Sequence, residues 1–422
     1  MNDLQEQLQE LRARVERARQ QCDARYAASP APSRPLEDAS RAFAGQDFFE
    51  HGQEVATSCG RHFEAETLFA THRRHGSADI GALSELPPDL LDAISAGESP
   101  AVPPSEWAFL DTETTGLAGG TGTCAFLVGV GRITADGFRV RQFFMRDYGE
   151  EASLLSGLSR HLDQFHVLIT YNGRTFDQPL LETRYRMNRA SPPFSKLGYH
   201  VDLLYGARRL WKLRYDSCRL VDLETNVLGF ERQGDVSGAL IPYLYFEYLR
   251  TGRAARLLPV FHHNSTDILT LACLTGIVPQ AFKDPATGSL THSTELLGLA
   301  RWLRQAGEME QARTLFARAV EAGLNDELLF RTLWDLTTLD RKLGETARAL
   351  ERLEELASSR NPFRARALEE LAKHHEHRMR DYARALDLTR TALSCEDSPA
   401  LRHREQRLLR LSGRSARPAA LV

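Results

Sequence analysis

Two acidic side chains stand at the end of an apolar segment, two positions apart. Asp111 and Glu113 follow residues 108–110, an Ala-Phe-Leu run whose composition predicts a buried β-strand. Because side chains alternate between the two faces of a strand, residues i and i+2 point to the same side. Two buried carboxylates are unfavourable unless cations or hydrogen-bond donors compensate them, and Mg²⁺ and Mn²⁺ prefer such oxygens. The alternative is a solvated strand end that carries ordinary surface acids.

Two more acids stand at the beginning of predicted helices. Asp177 follows a strand that ends near Asn172, and it could serve there as a helix N-cap alone. Asp267 lies in the predicted first turn of an apolar helix. His263, four residues earlier, would share a helix face with Asp267. His262, five residues earlier, would do so only if the helix begins between them, and we favour His263 because its spacing is the simpler geometry.

The elements that must position these acids follow an α/β pattern. Residues 107–145 contain three runs of strand formers separated by polar or glycine-rich breaks, which predicts an antiparallel meander. Helical and strand patterns then alternate up to residue 204, and residues 203–283 are mostly helical in pattern. The order βββαβαβ followed by helices predicts an α/β domain with a mixed sheet.

Beyond residue 290 the pattern is helical and repetitive. Ala312, Ala349 and Ala385 recur at intervals of 37 and then 36 residues, and small residues at such positions let paired helices approach closely. This period resembles that of tetratricopeptide repeats, and an ordinary helical bundle is the alternative.

Five regions follow from these patterns: 1–36, an N-terminal helix and proline-rich linker; 37–106, an extension packing on the next domain; 107–284, the α/β domain; 290–400, the helical repeats; and 401–422, a basic tail.

The composition excludes several classes of protein. The 422 residues are 42% hydrophobic and 26% charged, which is typical of a globular protein and not of a disordered or fibrous one. No apolar run approaches the ~18 residues that span a bilayer, so we expect no membrane partner. The net charge of −3 means that any nucleic-acid site must be local. Six cysteines without a CxxC pair favour reduced thiols and a cytoplasmic location.

The three acidic segments together resemble the DEDD exonuclease superfamily, also called DnaQ-like, which has a ribonuclease-H-like fold. Asp111 and Glu113 match its first motif, DxE, within DTETTG. Asp177 resembles the acid of the second motif, which here reads N-x3-FD from Asn172, and Asp267 matches the last acid of the third. Over about residues 45–400 the chain is similar to the YprB-type ribonuclease-H-like proteins, which are bacterial. This wider similarity is carried by four segments: FLDTETTGLAGGTGTCAFLVGVGR, YNGRTFDQPLLETR, LGFERQGDVSGALIPYLYFEYLRTG and HHNSTDILTL.

The resemblance implies a fold and a reaction. The fold would be an α/β ribonuclease-H-like domain, a mixed sheet flanked by helices, followed by an all-α helical-repeat domain. The reaction would be metal-dependent 3′–5′ exonucleolytic hydrolysis of nucleic acid, with two divalent cations, Mg²⁺ or Mn²⁺. The products would be nucleoside 5′-monophosphates. The partner would be the 3′ end of DNA or RNA, with a possible protein partner at the helical repeats.

The resemblance also implies roles for individual residues. The metal ligands would be the four acids of the three motifs: Asp111, Glu113, Asp177 and Asp267. His263 would complete the catalytic set by orienting or deprotonating the attacking water. Three residues after the first motif would line the pocket for the terminal nucleotide: Thr114, Thr115 and Leu117. Asn172 would fix the loop before Asp177.

A second class of function is also compatible with the sequence. Helical repeats usually present a concave surface to a peptide or protein, so the chain could be a non-catalytic nucleic-acid-binding protein or an interaction scaffold. The presence of all four acids favours the enzyme, because no structural need requires that set. A phosphatase with an aspartyl nucleophile is disfavoured, because Glu113 stands where that class needs aspartate. The motifs do not decide between RNA and DNA, or between exo- and endonucleolytic cleavage.

Overall fold

The computed structural model describes residues 52–95, 97–116, 122–285 and 290–415. The chain divides into two compact units: Met1–Leu204 with Arg219–Ile277, and Tyr205–Cys218 with Val278–Val422. Three predicted features lie outside the described residues: the N-terminal helix and linker over residues 1–36, the pocket residue Leu117, and the end of the basic tail.

The described part of the first unit contains a seven-stranded mixed sheet and a short two-stranded hairpin. The strands are β1 (Gly52–Thr57), β2 (Gly60–Ala70), β3 (Arg74–His75), β4 (Ala78–Asp79), β5 (Trp107–Thr114), β6 (Ala125–Thr134), β7 (Gly137–Phe144), β8 (Val167–Thr170) and β9 (Tyr199–Asp202). The order in the large sheet is β1-β2-β7-β6-β5-β8-β9. Strands β5, β6 and β7 are antiparallel neighbours, whereas β8 pairs in parallel with β5 and with β9. The predicted meander and the predicted mixed sheet are confirmed.

Part of the predicted extension belongs to the sheet itself. Within residues 37–106, β1 and β2 pair antiparallel, and β2 also pairs with β7. Gly60, the first residue of β2 after the turn from β1, has φ +124°, a conformation that glycine adopts without steric strain. An isolated two-stranded hairpin is only marginally stable in water, so pairing with β7 stabilises these strands. Strands β1 and β2 of the extension therefore widen the sheet, and packing of the rest of the extension on the domain stays a prediction.

The helices follow the order of the chain. They are α1 (Asp92–Ser95), α2 (Glu151–Leu162), α3 (Asp177–Met187), α4 (Leu203–Trp211), α5 (Leu220–Leu223), α6 (Ile241–Thr251) and α7 (Leu258–Lys283), with a π-helical turn at Glu224–Leu228. Helix α6 shows how the core is packed: Tyr245 stacks on Phe126 of β6, with ring centroids 4.0 Å apart. The Tyr245 hydroxyl donates to the Met145 carbonyl oxygen at 2.9 Å, so its burial leaves no polar group unsatisfied.

Helix α7 lies close against β6 because Gly129 has no side chain. A Cβ atom at this position would lie 2.3 Å from Asn264 Oδ1 and 2.3 Å from Ile268 Cδ1, both on α7. Gly129 is paired with Asp111 of β5, and directly paired residues project to the same face of a sheet. Asp111 therefore faces α7.

Among the residues that the structure describes, one segment, Ala254–Lys283, is long and apolar enough to cross a membrane by length and composition alone. The sequence patterns above did not single it out. In the structure, 72% of its apolar window is buried inside the protein, as in the core helix of a globular protein. The packing of α7 on β6 accounts for this apolar character.

The described part of the second unit contains helices and the turns between them. Besides α4, they are α8 (Ser293–Ala306), α9 (Met309–Glu321), α10 (Asp326–Lys342), α11 (Thr346–Ser358), α12 (Arg364–His374), α13 (Tyr382–Cys395) and α14 (Pro399–Ser415). Ala312, Ala349 and Ala385, the predicted close-approach positions, are at most 2% exposed. The predicted all-helical C-terminal region is confirmed, whereas its assignment to tetratricopeptide-like repeats stays a prediction. The first part of the predicted basic tail is helical, in α14.

Candidate active site

The four predicted acids come from three elements of the first unit. Asp111 and Glu113 lie on β5, Asp177 is the first residue of α3, and Asp267 lies on α7. The Glu113 side chain is buried and the other three are half-buried, so none of them is a surface acid. The pairing of β5 shifts register directly after Glu113, an irregularity often found beside active sites.

Asp267 lies in the interior of α7 and not in its first turn. The helix begins at Leu258, after a 3₁₀ turn at Ala254–Leu257, so the predicted start near residue 264 is wrong. Both candidate histidines therefore lie on one continuous helix, where the i,i+4 spacing places His263 beside Asp267. His263 Nε2 lies 3.4 Å from Asp267 Oδ2, whereas the side chain of His262 is exposed.

Hydrogen bonds from neighbouring side chains hold two of the acids. Asn264 donates from Nδ2 to Asp111 Oδ2 at 2.9 Å, and Gln142 donates to Asn264 Oδ1, also at 2.9 Å. The Thr112 hydroxyl donates to Asp177 Oδ1 at 2.5 Å. Asn264 is fully buried, so it joins α7 to the strand that carries Asp111 and does not cap a helix.

The acids are close enough to perturb one another's ionisation. Burial raises the pKa of Asp111 well above its usual value, and the charges of Asp267 and Asp177 raise it further. Burial also raises the pKa of Glu113, with added contributions from Asp111 and Asp267. Burial raises the pKa of Asp177 to about 6, although the hydrogen bond from Thr112 opposes this. The carboxylates of β5, whose pKa is raised by burial and by neighbouring negative charges, form a site that a cation would stabilise.

A second polar network surrounds His263. Its Nδ1 lies 2.9 Å from each carboxylate oxygen of Asp235. Arg232 donates to Asp267 Oδ1 at 2.5 Å and to Asp235 Oδ2 at 3.1 Å. Burial disfavours the charged imidazole, but the hydrogen bond to Asp235 and the charge of Asp267 outweigh it and raise the pKa of His263. Sequence reasoning missed Arg232 and Asp235, although the segment LGFERQGDVSG that contains them was one of the four similar segments.

Comparison with known proteins agrees with this geometry. Residues 108–278 match RNase_H_2, a family of the RNase H superfamily, and this range contains all four acids. The chain is also 35% identical over 298 residues to YprB of Bacillus subtilis (strain 168), a protein described as uncharacterized. That alignment covers 70% of this chain and 71% of YprB. The chain belongs to the RNase H superfamily. The RNase H-like fold indicates hydrolysis of phosphodiester bonds and binding of nucleic acid.

RNase H-like nucleases usually use divalent metal ions. Within the described ranges of this chain, no group of three or more His, Cys, Asp and Glu side chains converges closely enough to hold one. The donor chemistry nevertheless fits a hard cation, because the four acids offer carboxylate oxygens whose burial and mutual repulsion favour a positive partner. The RNase H-like domain thus brings suitable ligands near one another without forming a closed coordination shell.

Two of the predicted pocket residues are engaged in the loop after β5. The Thr114 hydroxyl donates to the Gly116 carbonyl oxygen at 2.9 Å. The Thr115 hydroxyl accepts from the Cys124 backbone N–H at 3.0 Å. These bonds tie the two ends of the loop together. Binding of the terminal nucleotide by Thr114, Thr115 and Leu117 stays a prediction.

Asn172 shapes the turn before Asp177 through its main chain. It has φ +68°, in the left-handed region that asparagine tolerates better than most residues. Its backbone N–H donates to Asp202 Oδ1 at 2.7 Å, and its carbonyl oxygen accepts from the Phe176 N–H at 3.3 Å. Asp202, the last residue of β9, is a further buried acid that sequence reasoning missed, although like Asp111 it lies within a predicted strand.

Proposed function

We propose that the RNase H-like domain is a metal-dependent 3′–5′ exonuclease of the DnaQ-like (DEDD) type. It hydrolyses phosphodiester bonds of DNA or RNA and releases nucleoside 5′-monophosphates. The observation that carries this proposal is the grouping of acids from β5, α3 and α7, in which the charges of Asp177 and Asp267 raise the pKa of Asp111 and of Glu113. Packing of a sheet does not require several buried carboxylates in one place, whereas binding of cations does.

The chain's own residues have distinct tasks in this proposal. The ligands of two divalent ions, Mg²⁺ or Mn²⁺, are the four acids: Asp111, Glu113, Asp177 and Asp267. When bound, such ions polarise the scissile phosphate and favour ionisation of the attacking water. Asp235 holds His263 by Nδ1, so that Nε2 faces Asp267 and accepts the proton of that water. The oxygen of the attacking water bonds to phosphorus as the P–O3′ bond breaks. The departing 3′ oxygen takes a proton from solvent and His263 returns its proton to solvent, so that one water is consumed for each bond cleaved.

The polarity of cleavage rests on the similarity to the DnaQ-like superfamily. In this proposal the loop after β5 receives the 3′-terminal nucleotide, with Thr114 and Thr115 at its start and Leu117 within it. The hydrogen bonds of the two threonines support this role, because they hold the start of the loop beside Glu113. The helical second unit would bind a protein partner, as repeat surfaces commonly do.

Two observations favour a second candidate, a protein that binds nucleic acid without cleaving it. In the part of the chain that the structure describes, no three potential ligands converge on one ion position. Moreover, Arg232 already compensates the charge of Asp267. A binding protein would use the same face of the domain but would not need the ions.

A nuclease assay separates these two candidates. Single- and double-stranded DNA and RNA oligonucleotides, labelled at either end, are incubated with Mg²⁺ or Mn²⁺ and analysed for nucleoside 5′-monophosphates. We expect release of mononucleotides from the 3′ end. Asp111→Asn should reduce the rate by at least about a hundredfold, because metal-ion catalysis contributes several kcal/mol to lowering the barrier.

The matched control is Asp136→Asn. Asp136 is an exposed acid that pairs with Arg139 in the β6–β7 hairpin, so its loss should leave the rate unchanged. A wild-type protein that binds an oligonucleotide but degrades none of the substrates would establish the binding candidate. A folded Asp111→Asn variant as active as the wild type would show that the acids are not the catalytic site.

A further inference from the structure

Arg232 lies among carboxylates at the edge of the acid cluster. Its side chain, only 7% exposed, comes from the connection between the π-helical turn Glu224–Leu228 and α6. The guanidinium lies 2.5 Å from Asp267 Oδ1, 2.6 Å from Glu224 Oε2 and 3.1 Å from Asp235 Oδ2. The buried guanidinium of Arg232 therefore interacts with three carboxylates, and one of these, Asp267, is a candidate metal ligand.

Glu224 anchors this guanidinium in the fold. The Glu224 side chain is fully buried, accepts from Arg232 Nε at 2.6 Å, and lies 3.2 Å from Nε2 of His75 at the end of β3. The hairpin that begins with β3 is itself attached to the π-helical turn, because the Ser77 N–H donates to the Leu228 carbonyl oxygen at 2.7 Å. Arg232 is thus held by buried partners and is not a mobile surface side chain.

Asp267 divides its two oxygens between two basic groups. Oδ1 accepts from Arg232, and Oδ2 lies 3.4 Å from His263 Nε2. A cation bound jointly by Asp267 and Asp111 would need one of these oxygens. The double positive charge of such a cation would also lie beside the Arg232 guanidinium, and the repulsion between the two opposes binding of the cation. This arrangement is consistent with the lack of a closed ligand shell among the described residues.

We propose that Arg232 is the resident counter-ion of the acid cluster. It holds Asp267 in place when no divalent cation is bound, and it competes with the cation for Asp267 Oδ1. The inference rests on the proposed function, because it takes the four acids as the ligands of the cation. Arg232 acts in two ways: it limits repulsion among the acids in the ion-free protein, and it weakens the binding of the cation.

The test is the affinity of the full chain for Mn²⁺, measured by isothermal titration calorimetry at fixed pH and ionic strength. Arg232→Gln removes the competing charge but leaves Glu224 buried without its main partner. The double variant Arg232→Gln/Glu224→Gln removes both charges, so that no buried carboxylate is left uncompensated if the single variant fails to fold. Arg139→Gln, at a half-buried arginine of the same unit that contacts none of the four acids, is the matched control.

We expect both Arg232 variants to bind Mn²⁺ about tenfold more tightly than the wild type, and the control to bind as the wild type does. Without Mn²⁺ the single variant should unfold at a lower temperature than the wild type, and saturating Mn²⁺ should narrow this difference. Equal or weaker Mn²⁺ affinity in the folded variants would overturn the counter-ion role.

Failure of the proposed function would be distinguishable in the same experiment. In that case neither the wild type nor the Arg232 variants would bind Mn²⁺, or Asp111→Asn would bind it as tightly as the wild type. Binding by the wild type that is lost in Asp111→Asn, but unchanged in the Arg232 variants, would overturn only the present inference.

Discussion

Replacing Gly129 with alanine should move α7 away from the sheet without altering any acid. The added Cβ atom would lie 2.3 Å from both Asn264 Oδ1 and Ile268 Cδ1, far closer than ordinary contacts to a Cβ atom. Overpacking of this kind costs about 1–3 kcal/mol. Loss of the hydrogen bond from Asn264 to Asp111 would cost about 1–3 kcal/mol, because it leaves the buried Asn264 amide without this partner.

The backbone change acts in the opposite direction. Glycine inside a strand is less favourable than alanine by about 0.5–1 kcal/mol, so Gly129→Ala regains part of the loss. We expect the free energy of unfolding to fall by about 1–5.5 kcal/mol in total. If the proposed nuclease activity is present, the variant should also lose activity at temperatures where it is still folded, because Asn264 no longer positions Asp111.

Urea-induced unfolding followed by circular dichroism measures the first effect. Gly238→Ala is the matched control, because a Cβ atom at Gly238 would meet no other atom within 4 Å. Its stability should differ from that of the wild type by no more than about 0.5 kcal/mol. If Gly129→Ala proves as stable as Gly238→Ala, the close approach of α7 to β6 is wrong, and so is the connection from Asn264 to Asp111.

Two titrations give further tests. Burial lowers the pKa of His161 to about 4, below its unfolded value near 6.5, so the stability that its neutral form contributes is complete above about pH 6.5. The free energy of unfolding should therefore decrease by up to about 3 kcal/mol as the pH falls towards 4. In urea unfolding, a His161→Gln variant should lose less stability over this pH range than the wild type, and an equal loss in both proteins would contradict the prediction. Because burial raises the pKa of Asp177 to about 6, protons should compete with Mn²⁺ below that pH. Calorimetry between pH 7 and pH 5 should show a larger loss of Mn²⁺ affinity in the wild type than in Asp177→Asn. A wild-type affinity that does not change with pH would rule out competition between protons and Mn²⁺ at Asp177.

Local patterns in the sequence were sufficient to predict the order of most elements. The strand formers of β5, β6 and β7 and the breaks between them predict an antiparallel meander, because sequential strands with tight turns pair with their neighbours. The same reasoning did not find that β1 and β2 join the sheet through β7. That pairing links residues near 65 to residues near 140, and no local signal specifies which edge a distant hairpin will join.

The start of α7 shows a second limit of local reasoning. Asn264 and Ser265 have the residue types of helix N-caps, so a start near residue 264 is reasonable from sequence. In the structure the helix begins at Leu258, and Asn264 instead bonds Asp111 and accepts from Gln142. A long-range hydrogen-bond network thus decided the role of a side chain whose type alone indicated a cap.

The sequence by itself determined which acids are candidates for the site, because each motif depends on residue types at short spacing and on the period of one strand or helix. It also predicted that His263 shares a face with Asp267, since four residues make about one helical turn. Only the tertiary structure decided that Arg232 and Asp235 lie beside Asp267 and His263. These residues lie 35 and 28 positions from their partners Asp267 and His263, and buried charges find partners through packing rather than through proximity along the chain.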